Sequence, residues 1–239
     1  MKNNKGYEMK ILNYLPNGKI DVIFPASGYI ARSRSYHSFK KGLIKDKLSP
    51  SLRGIGIIGE ESSVDEFGNK TEEYDKWSSM INRTYCDKVD GEWISIDGSY
   101  VSEEFRYFSK FKEWYNKNKY EIPGERMVIS KMVVEKGNKE YSSEKCAIVP
   151  LSIEEIFRNT KGTGKFPIGV VKRTNKYSYC FKKNGKLKEH CGFSTEEEAF
   201  LAYKNEKESY IKSIANKYKG VIPGKVYNFM MAYEVEIDD

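Results

Sequence analysis

Three short runs between residues 168 and 193 alternate apolar and polar side chains, and a capped helical stripe follows them directly. The runs fall at about 168–173, 176–182 and 187–193, separated by Thr174-Asn175 and Asn184-Gly185. Period-two patterning with two-residue turns predicts antiparallel hairpin strands, and Asn-Gly is a strong hairpin signal. Ser194-Thr195-Glu196-Glu197 then opens a helix with a capping-box pattern. Its apolar stripe is Ala199, Phe200, Tyr203, Tyr210, Ile211, Ile214 and Tyr218, and Gly220 ends it. A sheet of three strands packed on one long helix buries both apolar faces.

Charge is concentrated on the same stretch. Between Lys161 and Cys191 stand nine cations (Lys161, Lys165, Lys172, Arg173, Lys176, Lys182, Lys183, Lys186 and Lys188) against the single acid Glu189. The whole chain is +7, so the basic character belongs to this segment and the remainder is close to neutral. Alternation interleaves Tyr177, Tyr179 and Phe181 with Lys176, Ser178, Cys180 and Lys182. One face is expected to pack on the helix, which leaves the other basic. A ribbon of that width enters the major groove, and its cations release counterions from phosphates. The competing reading is a solvated sheet whose charge is fortuitous, but so many like charges repel one another without a polyanion.

At 239 residues the chain exceeds the roughly 100 to 150 residues of a typical domain, so more than one folded unit is expected. Charged residues reach 31%, yet 18 Tyr, 12 Phe and 3 Trp supply enough apolar area to exclude disorder as the default. Cys86, Cys146, Cys180 and Cys191 show no pair at the two-residue spacing of structural zinc sites, and a cytosolic compartment with reduced thiols is expected. Neither a signal-type apolar run nor a stretch of about 18 apolar residues is found, so no membrane partner is expected.

The rest of the chain reads as α+β. Residues 1–50 form a small β-rich module, with period-two runs at Tyr7–Ile11, Ile20–Phe24 and Gly28–Ile30. Arg34, His37, Lys40, Lys41, Lys45 and Lys47 follow, either facing phosphate or protecting a solvated edge, the latter preferred. A glycine-containing connector spans 51–70. A mixed middle domain at 71–159 carries aromatic helices at about 71–85 and 102–118, a β-type run at 127–134, a polar loop through Gly137-Asn138 and a short helix at 152–158. The sheet-and-helix domain takes 160–239.

Gly169-Val170-Val171, Arg173, Lys176-Tyr177, Gly185-Lys186, Gly192-Phe193-Ser194-Thr195-Glu196-Glu197-Glu198-Ala199 and Ala202-Tyr203 resemble the integrase-type domain of plant APETALA2 factors and many phage endonucleases. In that family the sheet reads the major groove, so the resemblance implies DNA-facing roles for Lys172, Arg173, Lys176, Tyr179, Lys182 and Lys186. The phrases Asn4-Lys5-Gly6-Tyr7, Phe39-Lys40-Lys41-Gly42-Leu43-Ile44-Lys45, Trp77-Ser78-Ser79-Met80-Ile81-Asn82-Arg83 and Lys136-Gly137-Asn138-Lys139-Glu140-Tyr141-Ser142 resemble phage HNH-type homing endonucleases with the same C-terminal domain. An HNH-like, ββα-type middle domain acting in the cytoplasm of a bacterial host cell is what this resemblance implies.

Where relatives carry Leu-Asp-Lys-Asp, however, this chain has Ile129-Ser130-Lys131-Met132, and the helix-side phrase is Ser142-Ser143-Glu144-Lys145-Cys146. Ser130, Lys131, Met132, Asn138 and Lys145 therefore read as degenerate catalytic positions, with no metal ligands and no cofactor. A one-metal nuclease needs anionic or imidazole ligands and a base. The expectation is a catalytically inactive DNA-binding protein, a regulator or an inhibitor of a host defence system, with duplex DNA and a host or phage protein as partners. The alternative is an active, Mg2+-dependent sequence-specific endonuclease with displaced ligands.

Overall fold

A computed structural model describes residues 1–158, 166–183 and 185–237. The expected boundary at 159/160, Lys161, Lys165 and Asn184 of the second expected turn lie outside the described residues. The chain forms two compact units, Met1–Lys119 with Glu140–Ser143, and Tyr120–Lys139 with Glu144–Asp239.

The first unit begins with an antiparallel sheet in the order β1 (Lys10–Tyr14), β2 (Lys19–Ile23), β3 (Ile30–Ser35). β1 and β3 begin three and two residues later than the runs expected at 7–11 and 28–30, and β2 one residue earlier than the run at 20–24. Met9, Ile20, Val22, Phe24, Tyr29, Ala31, Phe39 and Ile44 make its core. The short helix α1 (Tyr36–Lys40) is capped by Ser35, whose hydroxyl accepts from the Ser38 N–H. Arg34, His37, Lys40, Lys41, Lys45 and Lys47 are all exposed.

Helix α2 (Glu72–Thr84) starts at Thr71, which accepts from the Tyr74 N–H, and three acids in its first turn suit the helix dipole. A hairpin of β4 (Asp87–Val89) and β5 (Glu92–Ile94) follows, then β6 (Tyr100–Val101). The single helix expected at 102–118 is two, α3 (Glu103–Arg106) and α4 (Phe108–Asn118). Tyr107 between them is extended because Ile57 bonds there as a strand would, its N–H to Arg106 O at 2.8 Å and its carbonyl from Phe108 N at 2.9 Å. Trp77, Phe105, Phe108 and Phe111 are fully buried, and the Trp77 indole donates to the Phe105 carbonyl at 2.8 Å.

Strand β7 (Met127–Ser130) belongs to the second unit, whereas β8 (Glu140–Tyr141) pairs in parallel with β6 in the first. β7 pairs antiparallel with β9 (Ala147–Pro150), and α5 (Leu151–Phe157) follows at once. Next comes the sheet in the order β10 (Val170–Arg173), β11 (Lys176–Lys183), β12 (Lys186–Phe193), each strand within two residues of its expected place. Helix α6 (Glu196–Lys217) packs on it, and α7 (Gly224–Ala232) ends the unit. Thr195 caps α6 by accepting from the Glu198 N–H, and the Glu198 carboxylate reaches back to the Ser194 N–H. This is the capping box displaced by one residue at its return bond.

Residues on both sides of 159/160 share one core. Val149, Ile153 and Phe157 lie in the same apolar cluster as Tyr179, Phe181, Tyr203, Ile211 and Met230. Phe157 meets Phe229 and Tyr233 edge to face or tilted, with centroids 5.4 and 5.0 Å away.

Candidate nucleic-acid interface

Register decides which side chains of the three-stranded sheet look outward. Val170 pairs with Tyr179, Lys172 with Tyr177, and Phe181 with Lys188, so these share the face toward α6. Arg173 pairs with Lys176, Ser178 with Cys191, Cys180 with Glu189 and Lys182 with Leu187, and these share the outward face. The register shifts between Tyr177 and Ser178, where Gly192 is the extra residue on β12 and takes φ +109. Only glycine adopts that backbone without strain, so the bulge is written into the sequence at that position.

The helix side explains why the sheet sits where it does. Tyr179 is 6% exposed, stacks on His190 at 4.7 Å and donates its hydroxyl to the Glu206 carboxylate at 2.7 Å. Burial and this bond push its phenol up to about 12. The His190 Nε2 lies 3.5 Å from the same carboxylate. Tyr179 is thus a core residue, and its expected DNA-facing role is corrected: strand parity gives it to the helix. Gly169, at φ +79, lets Tyr203 close over the start of β10, since a Cβ there would lie 2.6 Å from the ring.

On the outward face Arg173 and Glu189 form a two-bond ion pair, Nε to Oε1 at 2.9 Å and Nη2 to Oε2 at 3.2 Å. The guanidinium holds the Glu189 carboxyl below the usual carboxylate range, and the carboxylate in turn raises Arg173. Lys176 and Lys182 stand exposed on that face. Lys172, on the other parity, is exposed beside Tyr177, its Nζ 5.4 Å from the ring centroid. Lys183, Lys186 and Lys188 are exposed as well. The predicted set therefore splits: Arg173, Lys176 and Lys182 share the outward face, Lys172 and Lys186 are exposed with the opposite parity, and Tyr179 is internal. The outward face is also less uniformly basic than alternation implied, because Glu189 stands in its middle.

The positions read as a degenerate nuclease site are occupied by loop-building contacts. The Ser130 hydroxyl, almost fully buried, accepts from the Met132 N–H at 3.2 Å. Asn138, also buried, donates to the Lys131 carbonyl at 2.9 Å and the Lys145 carbonyl at 3.3 Å. The Lys145 ammonium sits 3.3 Å from Glu135, and Met132 packs against the apolar core. In this donor set the Glu135 carboxylate is matched by Lys145, and the Asn138 amide and the Ser130 hydroxyl hold backbone. Among the described residues no group of three or more His, Cys, Asp or Glu is placed to hold a metal.

Sequence reasoning missed two participants. Lys207, 4% exposed on α6, occupies the buried row Ala199, Tyr203, Lys207, Ile211, Ala215, which its four-residue spacing reveals. The partnership of Glu189 with Arg173 joins the two outer strands and needs the register.

Comparison with protein-family models, curated proteins and solved structures gives no match. Among the described residues no helix is long and apolar enough to cross a membrane.

Proposed function

We propose that the protein binds duplex DNA through the outward face and rim of the β10–β12 sheet. One observation carries this reading. Seven cations on the described part of the sheet, Lys172, Arg173, Lys176, Lys182, Lys183, Lys186 and Lys188, are all exposed against the single acid Glu189. Phosphate neutralisation by such a surface supplies affinity, and a three-stranded ribbon on a helical backing fits a major groove. Side-chain positions follow from β-parity, so Arg173, Lys176 and Lys182 take the groove-facing role and the remaining lysines contact the flanking backbone.

The resemblance to phage HNH-type endonucleases is kept as a proposal about ancestry. The order of β7, β9 and α5 is that of a ββα unit, and its loop side chains now serve the loop itself. Binding without cleavage is the activity this combination favours, as expected of a regulator or of an inhibitor of a host defence system. Titration of the intact protein into fluorescent duplex DNA at several salt concentrations tests it. With five or six phosphates neutralised, log affinity against log salt should fall with a slope of about −5. A slope near zero overturns the reading.

A further inference from the structure

A second basic surface sits wholly within the first unit. Residues 1–50 hold ten lysines and arginines against three acids, Glu8, Asp21 and Asp46, an excess that acids further along the chain offset. All three acids are committed. Glu8 lies 3.5 Å from Lys10, the buried Asp21 accepts from the Ser33 N–H at 2.9 Å and lies 3.8 Å from Arg32, and the buried Asp46 accepts from the Leu48 N–H at 3.0 Å. The sheet order then gathers cations at one end. β1 ends at Tyr14, β2 begins at Lys19, and β3 ends at Arg34 and Ser35, where α1 starts. Tyr14, Ile20 and Arg34 form one row across the three strands, and Lys19 pairs with Ser35 beside it. Adjacent strands stand about 5 Å apart, so the backbones at Tyr14 and Arg34 are roughly 10 Å from each other.

Lys19, Arg34 and Lys40 are all exposed here. Two rings stand among them. Tyr14 is 74% exposed on the edge strand, and the exposed Tyr36 stacks on the core residue Phe39 with centroids 6.3 Å apart while the Lys40 Nζ lies 5.2 Å from its own centroid. Lysines that protect a sheet belong on its free edges. Lys19 is on the central strand and Lys40 on a helix, so edge protection accounts for neither. Cations that track a phosphate backbone, set beside rings on which unpaired bases stack, are the parts of a single-strand site. A duplex keeps its base faces stacked on one another, and the tyrosines add nothing to its binding. We infer that this end of the β1–β3 sheet binds single-stranded nucleic acid, with a base on Tyr14 and the flanking phosphates on Lys19, Arg34 and Lys40. The site lies in the other unit from the β10–β12 sheet and stands without the duplex reading.

The test uses the intact protein and three probes: a short fluorescent oligothymidylate, a duplex of the same length, and vesicles of mixed phosphatidylcholine and phosphatidylserine. Tyr14→Ala is expected to weaken oligothymidylate binding about tenfold, with the salt slope and the duplex affinity unchanged. The triple change Lys19→Gln, Arg34→Gln and Lys40→Gln is expected to flatten the slope of log affinity against log salt by about 2, at about 0.7 for each phosphate contact on a single strand. All four side chains are exposed, and melting curves that match the unmodified protein's show the variants to be folded. Oligothymidylate binding unaltered in both variants overturns the inference, as does an equal loss on duplex and single strand in Tyr14→Ala. Vesicle capture that the triple change abolishes, without oligothymidylate binding, assigns the surface to a membrane instead and overturns it too. Failure of the duplex alone to bind removes the duplex reading, and the oligothymidylate arm still decides this one.

Discussion

Arg173 on β10 grips Glu189 on β12 across the intervening strand, so the sheet's one arginine and its one acid are committed to each other. Replacing the acid releases the cation. Glu189→Gln should tighten DNA binding and steepen the salt slope by about 0.9, the contribution of one more phosphate contact. Fluorescence anisotropy at graded salt measures both: a gain in affinity with an unchanged slope limits Arg173 to the groove, and no change in either removes it from the interface.

The same pair sets a pH dependence. Because the guanidinium depresses the Glu189 carboxyl, the pair survives below the ordinary carboxylate range. Any stability it adds is fully present above the unfolded carboxylate pKa and disappears as pH falls through the depressed folded value. Protonation then frees Arg173. Relative to Glu189→Gln, the unmodified protein should gain affinity for DNA as pH falls through that window. Identical pH profiles for the two proteins would show the pair to be irrelevant to binding.

Phe157 ties α5 to the sheet's own core. Phe157→Ala should cost about 3 to 5 kcal/mol of stability in urea denaturation. The loss should also speed amide exchange in β10–β12, although the residue lies outside the predicted 160–239 domain. Faster exchange restricted to α5 would mean that the two parts open independently.

Thr174 opens the two-residue turn between β10 and β11 at φ +46, a backbone region that β-branched residues seldom occupy. Thr174→Gly should relieve about 1 to 2 kcal/mol of strain against a smaller entropic cost, a net gain of about 1 kcal/mol. Calorimetric melting checks it, and a lowered Tm would mean that the threonine side chain contributes more than its conformation costs.

Neither Mg2+ nor Mn2+ should allow the intact protein to nick supercoiled plasmid at concentrations where it binds. Ser130, Lys131 and Asn138 supply no pair of anionic ligands, and a lysine repels the cation. EDTA-sensitive nicking by the unmodified chain would promote the endonuclease alternative. The double change Ser130→Asp with Met132→Asp asks whether two acids suffice to restore cleavage.

Much of the C-terminal architecture was legible because each signal was local. The alternation of β11, the two-residue spacing between Arg173 and Lys176, and the Thr195–Glu198 cap each act within a few residues. What escaped was non-local. Ile57 divides the helix expected at 102–118 from 50 residues upstream, and no feature of 102–118 announces it. The misplacement of Tyr179 is of another kind: its parity with Tyr177 and Phe181 was plain, and its DNA-facing role came from the resemblance alone, whereas its ring is packing. The strand pairs β4–β5 and β6–β8 went unseen because runs of two or three residues carry no measurable period. Lys207 was overlooked because a cation interrupts the apolar stripe that it belongs to.

The apolar cluster shared by β7, β9, α5 and the basic sheet predicts that the second unit unfolds as one thermodynamic body. A ligand that settles on the sheet therefore draws the folding equilibrium of the distant strand pair along with it, by mass action alone. Polyanions would act on this protein as folding agents as much as targets, and the loop around Asn138 would be quietest when the sheet is occupied.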